Sequence, residues 1–105
     1  MSPKQGEVWL ADLGLAAKTR PVVILSRNDP EAPRALVTYI PLTTQDRSSR
    51  YEIELGNLRL LKEISVANVQ GIGSIPMSRL QRRLGSLPTE TLDRIKQAVR
   101  FALDL

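Results

Sequence analysis

KTRPVVILS, residues 18–26, places an arginine and a proline directly before four consecutive aliphatic residues. A short apolar run of this kind, bounded by a proline and by polar residues, is typical of a buried core strand. Pro21 fits the first position of that strand, where no backbone donor is needed. Because Pro21 also biases Arg20 toward an extended backbone, the guanidinium is predicted to project from the entrance of the strand. Judged on this segment alone, an ordinary surface arginine at a strand end is the alternative.

A second strand-forming run covers residues 35–42 and leads into the three polar residues Thr43, Thr44 and Gln45. If the two runs pair antiparallel, the beginning of the first lies beside the end of the second. Arg20 and Thr43 would then share one edge of the sheet, with a fixed cation beside a hydroxyl. Such a pair suits the binding of a phosphodiester.

The remaining sequence predicts further short strands. Residues 8–11 form a first strand with Trp9 in the core, and residues 51–55 alternate apolar and charged side chains. The two glutamates of that alternating strand are interpreted as solvated side chains rather than an acid–base pair. A fifth strand is predicted over residues 65–70, and residues 78–84 are interpreted as one helical turn or an irregular link. The chain is therefore predicted to be mainly β.

From Pro88 to Leu105 the pattern changes to that of a helix, with Pro88 and Glu90 near its start. Five or so short strands followed by one terminal helix are typical of a small barrel. A chain of 105 residues is long enough for one modest core, so we expect a single domain over residues 1–105. The apolar face predicted to cover the barrel comprises Leu92, Ile95, Val99, Ala102 and Leu103.

The composition restricts the chemistry of any active site. The chain has neither Cys nor His, which excludes disulfides and thiolate metal sites and removes the commonest general base. Its Asp and Glu residues are scattered singly rather than clustered as ligands for a divalent cation. We therefore expect no metal site and no cofactor.

The charge of the chain favours a polyanionic partner. The formal net charge is +4 and the isoelectric point is near 10.0, and arginines are concentrated in connecting segments where ligands are usually bound. Solvated loop charges are the alternative explanation. No apolar run approaches the roughly 20 residues of a membrane span, and the first residues carry no hydrophobic signal. We expect a cytoplasmic location and no membrane partner.

Four segments carry a resemblance that covers nearly the whole chain. They are GEVWLADL (6–13), Lys18–Asn28, IPLTTQ (40–45) and Ser65–Leu87, the last of which includes SRL (78–80) and RLGSL (83–87). In order and spacing they resemble the PemK/MazF/Kid toxins of type II toxin–antitoxin systems. The resemblance implies a small SH3-like barrel of the CcdB/PemK type with a C-terminal α-helix. It also implies a homodimer that cuts single-stranded RNA without a metal and is silenced by a cognate antitoxin.

The resemblance also implies roles for individual residues. Arg20 matches the family's catalytic arginine, and Thr43 matches the threonine that contacts the scissile phosphate. The chemistry agrees, because a guanidinium fork matches two phosphate oxygens and can neutralise a phosphorane. Strand binding is assigned to Lys18, Thr44, Gln45, Asn68 and Gln70. Each of these five could instead satisfy backbone groups in loops or at a sheet edge.

Two other functions are compatible with the same barrel. One is a non-enzymatic inhibitor of a protein target such as DNA gyrase, which would not need Arg20 and Thr43 together. The other is an RNA-binding module that does not cleave. Incubation with a long single-stranded RNA separates the three functions.

Two features depart from the family pattern. The connection over residues 12–18 is short and lacks the usual Gly- and Glu-containing loop, and Asn68 stands where many relatives have an aspartate. An asparagine both donates and accepts hydrogen bonds, so it can pair with more than one base edge. We therefore expect recognition of a short or loosely defined RNA sequence.

Overall fold

The computed structural model describes residues 2–14 and 19–105, which form an antiparallel sheet and one long helix. This architecture confirms the prediction of a mainly β chain with a C-terminal α-helix. The strands are β1 (Glu7–Asp12), β2 (Thr19–Ile24), β3 (Leu36–Thr43), β4 (Glu52–Glu54), β5 (Val66–Asn68), β6 (Gly73–Pro76) and β7 (Leu80–Ser86), and the helix α1 spans Thr89–Leu103.

Strand β3 organises the sheet, whose strand order is β4-β5-β3-β2-β1-β7. One edge of β3 pairs with β2, and its other edge pairs with β6 in its first half and with β5 at its end. A 3₁₀ turn over Val69–Gly71 separates β5 from β6, so that both can follow the same edge of β3. The end of β3 therefore lies between the start of β2 and the short strand β5.

The core lies on both faces of the bent sheet because side chains alternate along each strand. Val23 and Ile40 are fully buried in the larger cluster, which α1 covers with Ile95. Val22 belongs to a second cluster that contains Trp9, which is only 8% exposed. The prediction that Trp9 packs in the core is confirmed.

The terminal helix was predicted correctly in type and place, but its apolar face differs at one end. Ala98 is buried on this face, whereas Leu103 is 49% exposed. Leu103 is the last residue of α1, directly before Asp104 ends the helix in a left-handed conformation, whereas its neighbour Ala102 still packs against the core. In the described part of the chain, no helix combines the length and the apolar composition needed to cross a membrane.

The interpretation of residues 78–84 was wrong for most of its length. Only Met77–Arg79 forms a helical turn, and from Leu80 the chain continues as β7, paired with β1. The β1–β7 register shifts twice, between Val8 and Trp9 and again between Leu10 and Ala11. Such bulges interrupt the alternation of apolar and polar side chains by which a strand is recognised.

The predicted fifth strand is shorter than expected. It ends at Asn68, whose side-chain oxygen accepts a hydrogen bond from the backbone N–H of Gln70 and begins the 3₁₀ turn. At the end of this turn Gly71 packs against Pro41, and a Cβ at that position would lie 2.6 Å from the proline Cγ. The turn therefore brings the side chains of Asn68 and Gln70 to the end of β3.

Candidate functional site

The pairing of β2 with β3 brings Arg20 and Thr43 together. The ladder runs antiparallel through the pairs Val22–Pro41, Val23–Ile40 and Ile24–Tyr39, as the sequence predicted. Continued by two residues in the same register, it places Arg20 opposite Thr43. Residues that face each other across an antiparallel ladder share one face of the sheet. The cation and the hydroxyl therefore point into the same space.

That space is an open cavity of about 460 Å³ at the end of β3. A second cavity of about 310 Å³ adjoins it and shares Thr43, Gln45 and Asn68 with it. We call the two cavities together the groove. The first cavity is lined by Arg20, Pro41, Leu42, Thr43, Thr44, Gln45 and Asn68, and the second by Thr43, Gln45, Arg47, Ser49, Tyr51, Glu52, Asn68 and Gln70.

The groove collects nearly all the residues to which the sequence assigned a role. Arg20, Thr43, Thr44 and Gln45 reach it from the β2–β3 edge, while Asn68 and Gln70 come from β5 and the following turn. Lys18, the remaining candidate, lies outside the described residues.

Local hydrogen bonds orient the polar side chains along the groove. The backbone N–H of Gln45 donates to the hydroxyl oxygen of Thr43 at 3.1 Å, which leaves the Thr43 hydroxyl hydrogen available to a ligand. Asn68 Oδ1 accepts from the N–H of Gln70 at 3.1 Å, which fixes the orientation of the amide and leaves its NH₂ group as a donor. Both side chains can therefore donate to an anionic or carbonyl oxygen.

Among the described residues, Arg20 differs from Arg83 of β7 and from Arg79 of the turn before it. Arg83 pairs with Glu7 at 2.6 Å, and Arg79 lies 3.7 Å from Asp12, whereas no carboxylate within residues 2–14 and 19–105 pairs with Arg20. Arg20 is also exposed to solvent. Its guanidinium charge is thus open to an incoming anion.

The wall of the second cavity contains residues to which the sequence analysis gave no site role. Glu52 was interpreted as a solvated glutamate of an alternating strand, and Arg47 only as part of the loop charge. In the structure Glu52 is half-buried and accepts hydrogen bonds from the loop over residues 46–50. The signal that could have indicated this is the polar sequence DRSSR directly before the strand, since short polar side chains in turns seek nearby acceptors.

Within the described ranges, no three acidic side chains come together as a group that could hold a metal ion. The polar groups that line the groove are two guanidiniums, hydroxyls, amides and one carboxylate that the loop already engages. This donor-rich set is suited to binding a phosphodiester strand.

Comparison with known proteins agrees with this geometry. The model of the family described as PemK-like, MazF-like toxin of type II toxin–antitoxin system matches residues 4–103. The chain belongs to this family. The resemblance drawn from the four sequence segments is therefore confirmed, and with it the fold class.

Individual members of the PemK-like, MazF-like family align over almost their full length. A protein named probable endoribonuclease MazF5, from Mycobacterium tuberculosis, is 32% identical over 104 residues, covering 97% of this chain and 94% of that protein. A solved endoribonuclease in complex with its cognate antitoxin, from a mycobacterial species, superposes with a TM-score of 0.84 at 29% identity, covering 99% of this chain and 97% of that one. The MazF chain of a MazE–MazF complex from Deinococcus radiodurans has the same fold, with a TM-score of 0.83 at 18% identity over 100% of this chain and 98% of that one.

Proposed function

We propose that this protein is a metal-independent endoribonuclease toxin that cuts single-stranded RNA, such as mRNA, in the cytoplasm. The observation that carries the proposal is the placement of Arg20 and Thr43 on one face of an open groove, with no ion pair to Arg20 among the described residues. The endoribonuclease names of its relatives support the same activity. A non-enzymatic inhibitor has no need of such a pair, so the groove favours the enzyme.

The proposed reaction uses the RNA's own 2′-hydroxyl as nucleophile. The 2′-oxygen forms a bond to the adjacent phosphorus, its proton passes to an acceptor, and the bond from phosphorus to the 5′-oxygen breaks. The leaving 5′-oxygen takes up a proton, and the other fragment ends in a 2′,3′-cyclic phosphate. No oxidant, reductant or metal is needed for this balance.

Arg20 and Thr43 stabilise the phosphorane in this reaction. The fork of Arg20 contacts two of its oxygens and offsets the developing negative charge. The Thr43 hydroxyl donates to a phosphate oxygen, since its own oxygen already accepts from Gln45. An ordinary guanidinium is a poor base, so Arg20 is assigned to charge stabilisation and not to accepting the 2′-hydroxyl proton.

Thr44, Gln45, Asn68 and Gln70, together with Lys18, bind the RNA strand on either side of the cut. Their amide and hydroxyl groups suit base edges and sugar hydroxyls, and splayed bases of single-stranded RNA present both. Specificity then depends on a few hydrogen bonds, and the recognised sequence is short. Mapping cleavage sites on a mixed RNA checks this, and Asn68→Asp should shift the preferred base. A defined motif of five or more bases would contradict it.

The partners we propose are a second copy of the chain and an acidic antitoxin. A barrel of short strands buries limited surface, so pairing two extends the core and lengthens the groove. A basic groove attracts an acidic, partly disordered segment, which would cover it and block RNA. Light scattering at micromolar concentration should report a dimer, and a monomer with full ribonuclease activity would contradict this proposal.

One incubation tests the central proposal. Purified protein is mixed with a long single-stranded RNA, with and without EDTA, and the new ends are identified. We expect equal cleavage in both samples and 2′,3′-cyclic phosphate ends. Loss of cleavage in EDTA with recovery in magnesium would reject the mechanism, and binding without cleavage would indicate the non-cutting module.

A further inference from the structure

The loop between β3 and β4 forms one wall of the groove, and Glu52 at the start of β4 forms hydrogen bonds with this loop. Its carboxylate accepts hydrogen bonds from the Ser49 hydroxyl at 2.8 Å, from the Ser49 N–H at 3.1 Å and from the Arg47 N–H at 3.2 Å. The Arg47 N–H lies at this same distance from both carboxylate oxygens. One side chain therefore engages donors from two loop residues.

The rest of the loop depends on the same local network. Ser48 adopts a left-handed conformation with φ of 55°, which is uncommon for a residue with a side chain. Its N–H donates to Asp46 Oδ1 at 2.8 Å, and the N–H of Tyr51 donates to the Ser49 hydroxyl oxygen at 3.2 Å. The strained turn persists because hydrogen bonds on both sides of it define its shape.

A second anchor fixes the end of the loop to the helix. The guanidinium of Arg50 lies 3.7 Å above the ring of Phe101, and the ring of Tyr51 packs against Phe101 with centroids 5.3 Å apart. Phe101 is on α1, which is fixed by its buried face. The loop is thus held at Glu52 on one side and at Phe101 on the other.

A carboxylate is an unexpected group in a groove that binds a polyanion, because it repels phosphates. The hydrogen bond from the Ser49 hydroxyl is the main cause that lowers the pKa of Glu52, and the Arg47 and Ser49 N–H groups act in the same direction. The group thus stays ionised and engaged with the loop at neutral pH. If the groove binds RNA, the Glu52 carboxylate must contribute to that binding in a way that outweighs its repulsion of the phosphates.

We propose that Glu52 is a positioning residue that holds the loop of residues 46–50 in the shape that binds RNA. Through the loop backbone it places the Arg47 side chain on the wall that Gln45 and Asn68 share. This inference rests on the proposed function, since the ligand of the groove is the RNA strand. Glu52 itself contacts the loop, whereas under the proposed function the reacting phosphate is bound by Arg20, which lines the other cavity.

The sign of the effect on RNA affinity tests this inference. A mixed-sequence single-stranded RNA with 2′-fluoro sugars lacks the attacking hydroxyl, so its Kd can be measured without cleavage. Removal of a merely solvated carboxylate would tighten the binding of such a polyanion. Removal of a carboxylate that holds the wall in its binding shape would instead weaken RNA binding. We expect Glu52→Ala to raise the Kd about tenfold, because several hydrogen bonds to a charged group are lost together.

Two further variants complete the comparison. Glu54→Ala is the matched control, since Glu54 lies two residues along the same strand, is exposed and lines neither cavity. Its Kd should equal or fall slightly below that of the wild type. Glu52→Gln keeps one side-chain oxygen acceptor and should raise the Kd by about threefold, an intermediate loss. This conservative variant also gives the answer if Glu52→Ala does not fold.

Amide exchange and kinetics supply readouts that a loss of global stability would not produce. The N–H groups of Arg47 and Ser49 should exchange faster in Glu52→Ala while those of β2 keep their protection. With cleavable RNA, KM should rise more than kcat falls, because the wall binds the strand while Arg20 acts on the phosphate. A Glu52→Ala or Glu52→Gln protein that binds 2′-fluoro RNA as tightly as the wild type, or more tightly, would overturn the inference.

The failure of the proposed function can be told apart from the failure of this inference. A wild-type protein that binds RNA without cutting it would reject the ribonuclease proposal, while the change in Kd on Glu52→Ala still decides the role of Glu52. A wild-type protein that binds no RNA would reject both.

Discussion

Arg83 lies on β7 and Arg20 on β2, the two strands that pair with β1, but among the described residues Arg83 is paired with a carboxylate and Arg20 is not. Arg83 donates to the carboxylate of Glu7 at 2.6 Å and to the hydroxyl of Ser86 at 2.9 Å. Glu7 also accepts from the backbone of Lys4 and from the indole of Trp9, and its side chain is only 12% exposed. Arg20 opens onto the groove and, within the described ranges, pairs with no carboxylate.

The comparison distinguishes Arg83, whose charge stabilises the fold, from Arg20, whose charge is available to a ligand. A largely buried carboxylate with several donors links two strands and a turn, and removing it leaves those donors unsatisfied. An exposed guanidinium beside a hydroxyl contributes little to the free energy of folding. All of its N–H donors can form charge-assisted hydrogen bonds with a phosphate. The two regions should therefore respond to mutation in different assays.

Replacement of Arg20 should produce the largest effect. Arg20→Ala is expected to reduce RNA cleavage by about 10²–10³, because one preorganised donor to the developing charge is lost. Arg20→Lys should restore little, since the bidentate geometry is lost with the guanidinium. Initial rates and the melting temperature are measured together. The control is Arg27→Ala, an exposed arginine just beyond the other end of the same strand. Near-normal cleavage by a folded Arg20→Ala would make Arg20 an ordinary surface residue.

Replacement of Glu7 should act on stability and leave the chemistry intact. Glu7→Ala is expected to lower the free energy of unfolding by about 2 kcal/mol, since hydrogen bonds to a charged group are lost and Arg83 loses its partner. Urea denaturation measures the loss, with Glu54→Ala as an exposed control. If cleavage by the folded variant fell as much as in Arg20→Ala, the proposed separation of the two regions would be wrong.

Thr43 should have a smaller effect on cleavage than Arg20. Thr43→Ala is expected to reduce the rate roughly tenfold, since a neutral hydrogen bond is weaker than a charge-assisted one. Thr43→Ser keeps the hydroxyl that accepts from the Gln45 N–H and should retain most activity. Equal rates for the alanine and serine variants would show that the hydroxyl does not contact the substrate.

The pH dependence of stability should give the smallest signal. Burial raises the pKa of Glu7, but the hydrogen bonds from Lys4, Trp9 and Arg83 outweigh it and hold the pKa below its ordinary range. Because the folded-state pKa is lowered, the stabilisation is complete above the unfolded value of about 4.3 and is lost as the pH falls through the lower folded value. Denaturation curves between roughly pH 6 and pH 3 should show this loss, and in Glu7→Gln the slope should flatten. An unchanged slope in Glu7→Gln would assign the acid sensitivity to other carboxylates.

The sequence predicted part of the site because that part depends on one strand pair. Arg20 and Thr43 meet through the antiparallel register of β2 and β3, which two neighbouring apolar runs and a connecting loop already favour. Strand β7 was missed because it carries an extra residue at each of two register shifts against β1, and these disturb its own alternation of apolar and polar side chains.

By itself, the sequence determined the mainly β chain with its terminal helix, the absence of Cys and His, and the candidate pair at the end of β3. Only the tertiary structure showed which residues form the second cavity of the groove. Asn68 reaches it because β5 pairs with the end of β3, and Glu52 reaches it because the loop folds back onto β4. The physical reason is that periodicity reports which side chains face the core. A hydrogen bond such as that from Ser49 to Glu52 depends on where the chain turns, and solvated glutamates give the same sequence pattern.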